Sequence, residues 1–437
     1  MNETEFARAR LSSRDGLVAI SPIGVFLVCY LVVSLIVGDF YRMPISVALL
    51  LASVWAVIVS RGKLQDRVEV FSRAAASADV LYMVWIFILA GAFAALAKGI
   101  GAIDATVGLT LQYLPPRFVV PGLFMAACFV SFSIGTSVGT VVALTPLAVD
   151  MAVAGGGSVP FFVAVVLGGA FFGDNLSFIS DTTIAATRTQ GCRMADKFCA
   201  NLWIAVPAAL VTLVLYILMG GEVGEVVVAD VERPWLILPY LVIIGCAVAG
   251  VNVILVLTLG ILSASVVGIL SGGSLLGIAA MMGEGVDSMG NLIIITLLAA
   301  GMLGLIKANG GIRYILQSLT SHIGGRRGAQ AGIGLLVGIV NMCTANNTVA
   351  IITVGSISKS LAGRYGVDPR KSASVLDTCS CIVQCIIPYG AQSLLAATLA
   401  GVSPVAAWPY LYYPWALGVM VVLCILFDIP RYHKRRD

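Results

Sequence analysis

The chain has 437 residues, 59% hydrophobic and only 11% charged, with a formal net charge of +4 and a mean hydropathy of +1.01. A soluble domain carries roughly 25% charged residues, so this composition excludes an ordinary soluble enzyme. Membrane topology accounts for the basic residues, so the small positive charge is no sign of nucleic-acid binding.

Apolar runs of about 20 residues recur from end to end and predict an all-α polytopic membrane protein; a β-barrel would show short alternating segments. Residues 1–16, with Arg8, Arg10 and Arg14, are expected to form a cytoplasmic N-terminal segment. The run from Leu17 to Val37 has span length and no small-residue cleavage site follows it, which speaks against a cleaved signal peptide. Spans are predicted at about 17–37, 45–60, 80–98, 200–220, 236–250, 252–270, 290–306 and 406–427. Two further apolar segments, about 118–154 and 327–358, are broken by Gly135-Thr136-Ser137 and Asn346-Asn347-Thr348. Each half of such a segment is too short to cross alone, which predicts re-entrant hairpins buried in protein or lining a wet cavity. Segments at about 159–187 and 371–395 are interrupted by Gly173-Asp174-Asn175-Leu176-Ser177-Phe178-Ile179-Ser180-Asp181-Thr182-Thr183 and by Asp377-Thr378-Cys379-Ser380-Cys381-Ile382-Val383-Gln384. These are predicted as broken helices.

With the N-terminus inside, Arg61, Lys63, Arg67, Arg73, Arg188, Arg193, Lys197, Arg313, Arg326, Arg327, Arg364, Arg370 and Lys371 fall on the cytoplasmic side. Glu222, Glu225, Asp230, Glu232, Glu284 and Asp287 fall outside, a positive-inside pattern with Arg42, Lys98 and Arg117 as exceptions. The expected organisation is a first transmembrane repeat at 17–221, an external linker at 222–235, a second repeat at 236–428 and a basic cytoplasmic tail at 429–437. The two repeats share Ala90-Gly91 and Ala300-Gly301, Lys98 and Lys307, Pro160 and Pro369, and Asp174-x-x-Ser177-x-Ile179 and Asp377-x-x-Ser380-x-Ile382. Each unit reads as about five crossings plus a hairpin. An odd number of crossings inverts the second unit, the pattern of secondary transporters with a site at the repeat interface.

A carboxylate at bilayer depth costs several kcal/mol unless solvated, paired or bound to a cation. Asp174, Asn175, Ser177, Asp181, Thr182 and Thr183 are therefore expected to form an oxygen-rich nest, the ligand type that hard cations such as Na+ prefer. Burial favours the protonated form of a carboxylate and a bound cation favours the ionised form, so one acid can hold either guest. The competing structural role for Asp174 and Asp181 is capping of helix halves. Asp377 reads either as a cation or proton site or as a plain salt bridge to Arg370 or Lys371. In the letter match Gln384 stands opposite Asp181 and cannot titrate. Coupling is thus expected mainly in the first half, and substrate contact partly at Ser380 and Gln384. The hairpin tips Gly135, Thr136, Ser137 and Asn346, Asn347, Thr348 supply hydroxyls, amides and backbone groups; tight helix packing is their alternative role. Gly301-x-x-Gly304 and Gly334-x-x-x-Gly338 read as helix contacts. Lys98 and Lys307 read as snorkelling residues, while Asp104, His322 and His433 read as solvated ones. The ten cysteines lie mostly in apolar spans and are expected as free packing residues, including Cys379, Cys381 and Cys385.

At Gly173-Asp174 and through Ser180-Asp181-Thr182-Thr183 the sequence resembles the NhaC-type sodium/proton antiporter family. Gly135-Thr136-Ser137-x-Gly139-Thr140 is similar to that family's earlier signature. Phe178 stands where members usually carry a proline. In a wider ion-transporter group, divalent-anion/sodium symporters have a Ser-Asn-Thr tip in each repeat. Asn346-Asn347-Thr348 is similar to one such tip, and the first tip lacks the Asn. The resemblance implies an elevator mechanism, in which a transport domain of hairpins and broken helices slides against a dimeric scaffold. The expected function is Na+/H+ antiport by alternating access in a cell (inner) membrane, with both termini cytoplasmic. Na+ is expected at Asp174 and Asp181, the partners are Na+, H+, the lipid bilayer and a second copy of the chain, and no cofactor is expected. The alternative is Na+- or H+-coupled exchange or symport of a small organic anion or amino acid, as in relatives that exchange malate against lactate. No symmetric filter suggests a channel, and no metal motif or nucleophile–base pair suggests an enzyme.

Overall fold

Glycine, proline and short polar turns divide the apolar chain into helices. The computed structural model describes residues 12–37, 44–113, 115–177, 180–219, 233–249, 251–320, 324–430 and 432. Among these there are no strands. The first part contains α1 (Ser13–Val37), α2 (Ile45–Val59), α3 (Leu64–Ala75), α4 (Ala78–Gly99), α5 (Ala102–Tyr113), α6 (Val119–Ile134), α7 (Ser137–Ala154), α8 (Val159–Leu176), α9 (Asp181–Gln190) and α10 (Met194–Met219). The second contains α11 (Leu238–Val248), α12 (Val253–Leu270), α13 (Leu275–Ser288), α14 (Gly290–Ala308), α15 (Gly311–Thr320), α16 (Gly325–Thr344), α17 (Asn347–Arg364), α18 (Pro369–Ile386), α19 (Ala391–Ala400) and α20 (Tyr412–Phe427). Among the described residues, seven helical stretches are long and apolar enough to cross a membrane, or eight if the bent pair Pro404–Tyr410 and Tyr412–Phe427 counts as one. Arg8, Arg10, Arg42, Phe178, Glu222, Glu225, Asp230, Glu232, His322 and the last five residues, His433 among them, lie outside the described residues.

Helices occupy most of the described residues of every predicted span, two of them short (Ile45–Val59 and Pro234–Cys246), and α3, α5, α13 and α15 add helices where the sequence suggested connections. The stretch expected as an outer loop at Glu284 and Asp287 is part of α13, and α13 with α14 makes one apolar run, Leu275–Ala308. Gly285 permits this by letting α13 meet α4 backbone to backbone. A Cβ there would stand 2.2 Å from the Gly91 carbonyl oxygen, and a Cβ on Gly91 would stand 2.2 Å from that of Gly285. The expected glycine contacts are present. Gly301 and Gly304 receive Phe71 and Ala74 of α3, while Gly334 and Gly338 receive Cys379 and Val383 of α18.

Four interruptions carry the architecture. After α6, Gly135 turns left-handed (φ 73°) and Thr136 is extended (φ −143°) before α7 begins. After α16, Ala345 turns left-handed (φ 49°) and Asn346 is extended (φ −146°) before α17 begins. Helix α8 stops at extended Ser177, and α9 ends on left-handed Gly191. Helix α18 stops at extended Ile387, and α19 ends on left-handed Gly401. These positions, alike in backbone conformation, are each 210 residues apart: Gly135 and Ala345, Ser177 and Ile387, Gly191 and Gly401. That spacing differs from the letter match made from the sequence. Asp174 falls opposite Gln384, not Asp377, and Asp181 falls opposite Ala391. Asp377 lies in the middle of α18, whereas Asp174 lies in the last turn of α8. The backbone leaves the helix where caps and left-handed residues allow it, and a short Asp-x-x-Ser-x-Ile similarity does not mark that point.

The broken helices also cross over. Helix α9 packs on α17 and α18, while α19 packs on α7 and α8. A large apolar core includes buried residues of α2, α4, α6–α8 and α10, and a smaller one joins α9 to α16, α17 and α18 through Ala186, Ile333, Val337, Ile351 and Leu376. This exchange draws all four breaks to one place.

Candidate cation site at the helix breaks

Close packing sets the end of α8. A Cβ on Gly173 would stand 2.3 Å from the Phe132 backbone nitrogen, so only glycine lets α8 approach α6 this closely. Ser131 Oγ donates to the Ala170 carbonyl at 2.5 Å and fixes the same contact. The next residue, Asp174, is then held between both hairpin tips. Its Oδ2 accepts from Ser137 Oγ at 3.0 Å and from Asn347 Nδ2 at 3.3 Å. Its Oδ1 accepts from Ser180 Oγ at 2.6 Å. Ser137 and Asn347 are the first residues of α7 and α17, again 210 apart, so the starts of two helices meet on one carboxylate. Thr182 Oγ1 lies 2.9 Å from Ser180 Oγ and donates to the Asp174 carbonyl at 3.4 Å. The fourth break joins through amides: Gln384 Nε2 donates to Ala345 O at 3.0 Å and to Gln392 Oε1 at 2.9 Å, and Gln392 Nε2 donates to Ser137 Oγ at 3.0 Å.

Asp174, Ser137, Ser180, Thr182 and Asn347 are all buried. The hydrogen-bond partners of the Asp174 carboxylate among the described residues are neutral. Those partners are side-chain hydroxyls and an amide, whereas a capping carboxylate accepts from backbone N–H groups. Asn346 is the residue that caps, its Oδ1 accepting from the Val349 backbone nitrogen at 3.0 Å.

Asp377 stands in a second, adjoining cluster. It forms an ion pair with Lys197, and both side chains are wholly buried. A salt bridge was one of its two expected roles, but the partner is neither Arg370 nor Lys371. Arg370 pairs with Asp368 at 2.8 Å, and Lys371 pairs with Asp428. Lys197 also donates to the Asn175 carbonyl at 2.5 Å and to Thr183 Oγ1 at 2.8 Å. Asn201 Nδ2 bridges Asn175 Oδ1 at 2.8 Å and Asp377 Oδ2 at 3.2 Å, and Asn175 Nδ2 donates to Thr378 Oγ1 at 3.1 Å. Lys197 thus faces inward instead of adding to the cytoplasmic charge, because a carboxylate and a helix-end carbonyl accept its ammonium.

The remaining expected residues divide. Ser177 is buried and its backbone nitrogen closes α8 on Gly173 O at 2.7 Å. Asp181 is exposed in the first turn of α9, whereas Asp174 is buried at the end of α8. Thr136 and Gly135 shape the first tip, and Thr348 donates its backbone N–H to Asn347 Oδ1 at 3.1 Å. Ser380 Oγ donates back to the Asp377 carbonyl at 2.8 Å. Ser180, Lys197, Asn201 and Gln392 were not singled out from the sequence. The signal for two of them was present: Lys197 and Asn201 sit one helical turn apart at the start of an apolar span, on one face. All ten cysteines are free, and no group of three or more metal-ligating side chains occurs among the described residues.

The sequence pattern of the Na+/H+ antiporter family matches residues 16–221 and 227–429. The Na+/H+ antiporter NhaC of Alkalihalophilus pseudofirmus is 24% identical, over 78% of this chain and 80% of its own length. NhaC of Bacillus subtilis is 23% identical, over 74% of this chain and 79% of its own length. The arginine/ornithine antiporter ArcD of Halobacterium salinarum is 23% identical, over 72% of each chain. With its pattern matched along nearly the whole length, the chain belongs to the Na+/H+ antiporter family, and is a transporter, not an enzyme.

Proposed function

We propose that this antiporter exchanges Na+ for H+ at Asp174, by alternating access between two inverted repeats. The observation that carries the reading is a buried carboxylate whose hydrogen-bond donors among the described residues are neutral, at the point where two hairpin tips and two broken helices converge. Such a group gains most from a positive guest. In the proton-loaded state the carboxyl keeps its proton within the Ser137 and Ser180 hydroxyls. When Na+ enters, the proton leaves, and the same hydroxyls turn their O–H bonds away and present oxygen lone pairs beside the carboxylate. Thr182 Oγ1 adds a third hydroxyl oxygen. One positive charge replaces another, so the buried site never holds a bare anion for long.

The matching breaks 210 residues apart, and the crossing of α9 and α19 onto the opposite hairpins, support duplicated units that move as an elevator against a dimeric scaffold. Asp181, exposed at the start of α9, draws cations to the mouth of the site. The setting is a cell (inner) membrane with both termini cytoplasmic. Similarity to the arginine/ornithine antiporter supports a second reading, exchange of a small organic ion coupled to Na+ or H+.

Purified protein in proteoliposomes tests the proposal. An imposed pH gradient should drive saturable Na+ uptake in the wild type, and Asp174→Asn should lower it to the level of empty liposomes. Uptake by a well-folded Asp174→Asn variant at the wild-type rate removes Asp174 from the mechanism. Uptake that requires an added amino acid or carboxylate replaces the first reading with the second.

A further inference from the structure

Two buried carboxylates flank the end of α8, and they differ in what faces them. Asp174 meets hydroxyls and an amide, whereas Asp377 meets a wholly buried ammonium. The three oxygens around Lys197 Nζ are a carboxylate oxygen of Asp377, the backbone carbonyl of Asn175 and the hydroxyl of Thr183. An ammonium has three N–H donors, and here each has an acceptor. Carboxylate, carbonyl and hydroxyl are also the oxygen types that hard cations select. The Asn175 carbonyl belongs to the last turn of α8, where carbonyls lack helical partners and the helix dipole is negative.

We propose that Lys197 is a resident cation: its ammonium fills a second cation site built from Asp377, Asn175 and Thr183, and so limits the chain to one free Na+. The inference rests on Asp174 being the Na+ site. Lys197 then determines how many ions are carried without touching the transported one. Removing its side chain leaves the Asn175 carbonyl and the Thr183 hydroxyl beside an uncompensated Asp377 carboxylate, with Asn201 still donating to Asp377 from one side. A free Na+ takes the vacated place.

Equilibrium binding of radioactive Na+ to the purified full chain, with melting curves in NaCl and in choline chloride, tests this. The wild type should bind one Na+ per chain. Lys197→Ala should bind two, melt below the wild type in choline, and regain stability in NaCl. The double variant Lys197→Ala with Asp377→Asn should return to one Na+ and lose the added salt dependence of melting. A lysine that only braces the fold would lower the melting temperature without raising Na+ stoichiometry. Lys197→Ala binding one Na+, or staying unfolded at saturating NaCl, overturns the proposal. Failure of the Asp174 reading is separable, since Asp174→Asn would then bind Na+ as the wild type does.

Discussion

Asp174 and Asp377 show how neighbours decide what a buried acid does. Asp377 is neutralised within the protein, so its replacement is first a matter of stability. Asp377→Asn leaves the Lys197 ammonium buried without its counter-charge, a loss of about 3–5 kcal/mol that denaturant unfolding in detergent would register. Among the described residues Asp174 is hydrogen-bonded to neutral groups, and Asp174→Asn should leave stability nearly unchanged while removing exchange. Asp181 belongs with neither. From the sequence it ranked equal to Asp174, because both are acids inside one apolar segment. The structure separates them: Asp174 closes a helix in the interior, and Asp181 opens the next one at an exposed position. Asp181→Asn should therefore raise the half-saturating Na+ concentration a few-fold and leave the maximal rate intact in a proteoliposome titration. Lys197 escaped notice for the converse reason. A lysine after Arg188 and Arg193 reads as one more cytoplasmic charge, and nothing local reveals that a residue 180 positions later accepts it.

Among the elements, the breaks at Gly135-Thr136-Ser137 and Asn346-Asn347-Thr348 were legible, whereas the polar stretch from Asp377 to Gln384, expected as an interruption, lies inside α18, which stops only at Ile387. Gly135-Thr136-Ser137 and Asn346-Asn347-Thr348 break their segments where expected, since hydroxyls, amides and a left-handed residue stop a helix whatever surrounds it. The register between the halves was not legible, because similar letters at Asp174 and Asp377 lie on different turns of their helices. Helix α13 was hidden by Glu284 and Asp287, which mark a loop by charge but stay exposed on one side of a helix. Position 173 links packing to chemistry. Gly173→Ala pushes α8 off α6, an overpacking cost of about 1–3 kcal/mol, and should slow exchange although every group on Asp174 remains. The end of α20 offers a pH test. Burial pushes the Asp428 carboxyl up, but the buried Lys371 ammonium and Arg326 outweigh it and hold it below the usual carboxylate range. A lowered value stabilises the fold above the ordinary carboxylate range and loses that contribution as pH falls through the folded-state value. Melting temperature should therefore drop below about pH 4, and Asp428→Asn should show a smaller drop.

For the whole molecule, composition was enough to identify a polytopic helical membrane protein, and the acidic and hydroxyl motifs were enough to suggest the family that the full-length match establishes. The crossing of α9 and α19 was beyond the sequence, because short helices after a break can pack on either half with the same apolar pattern. That crossing matters most for function, since it brings Ser137, Ser180 and Asn347 onto one carboxylate. A single acid that trades H+ for Na+ makes a direct demand on the purified protein. Adding Na+ to protonated, weakly buffered protein in detergent should release one H+ for each Na+ bound at Asp174, and Asp174→Asn should release none. Na+ binding without proton release, or undiminished release from Asp174→Asn, would contradict the account.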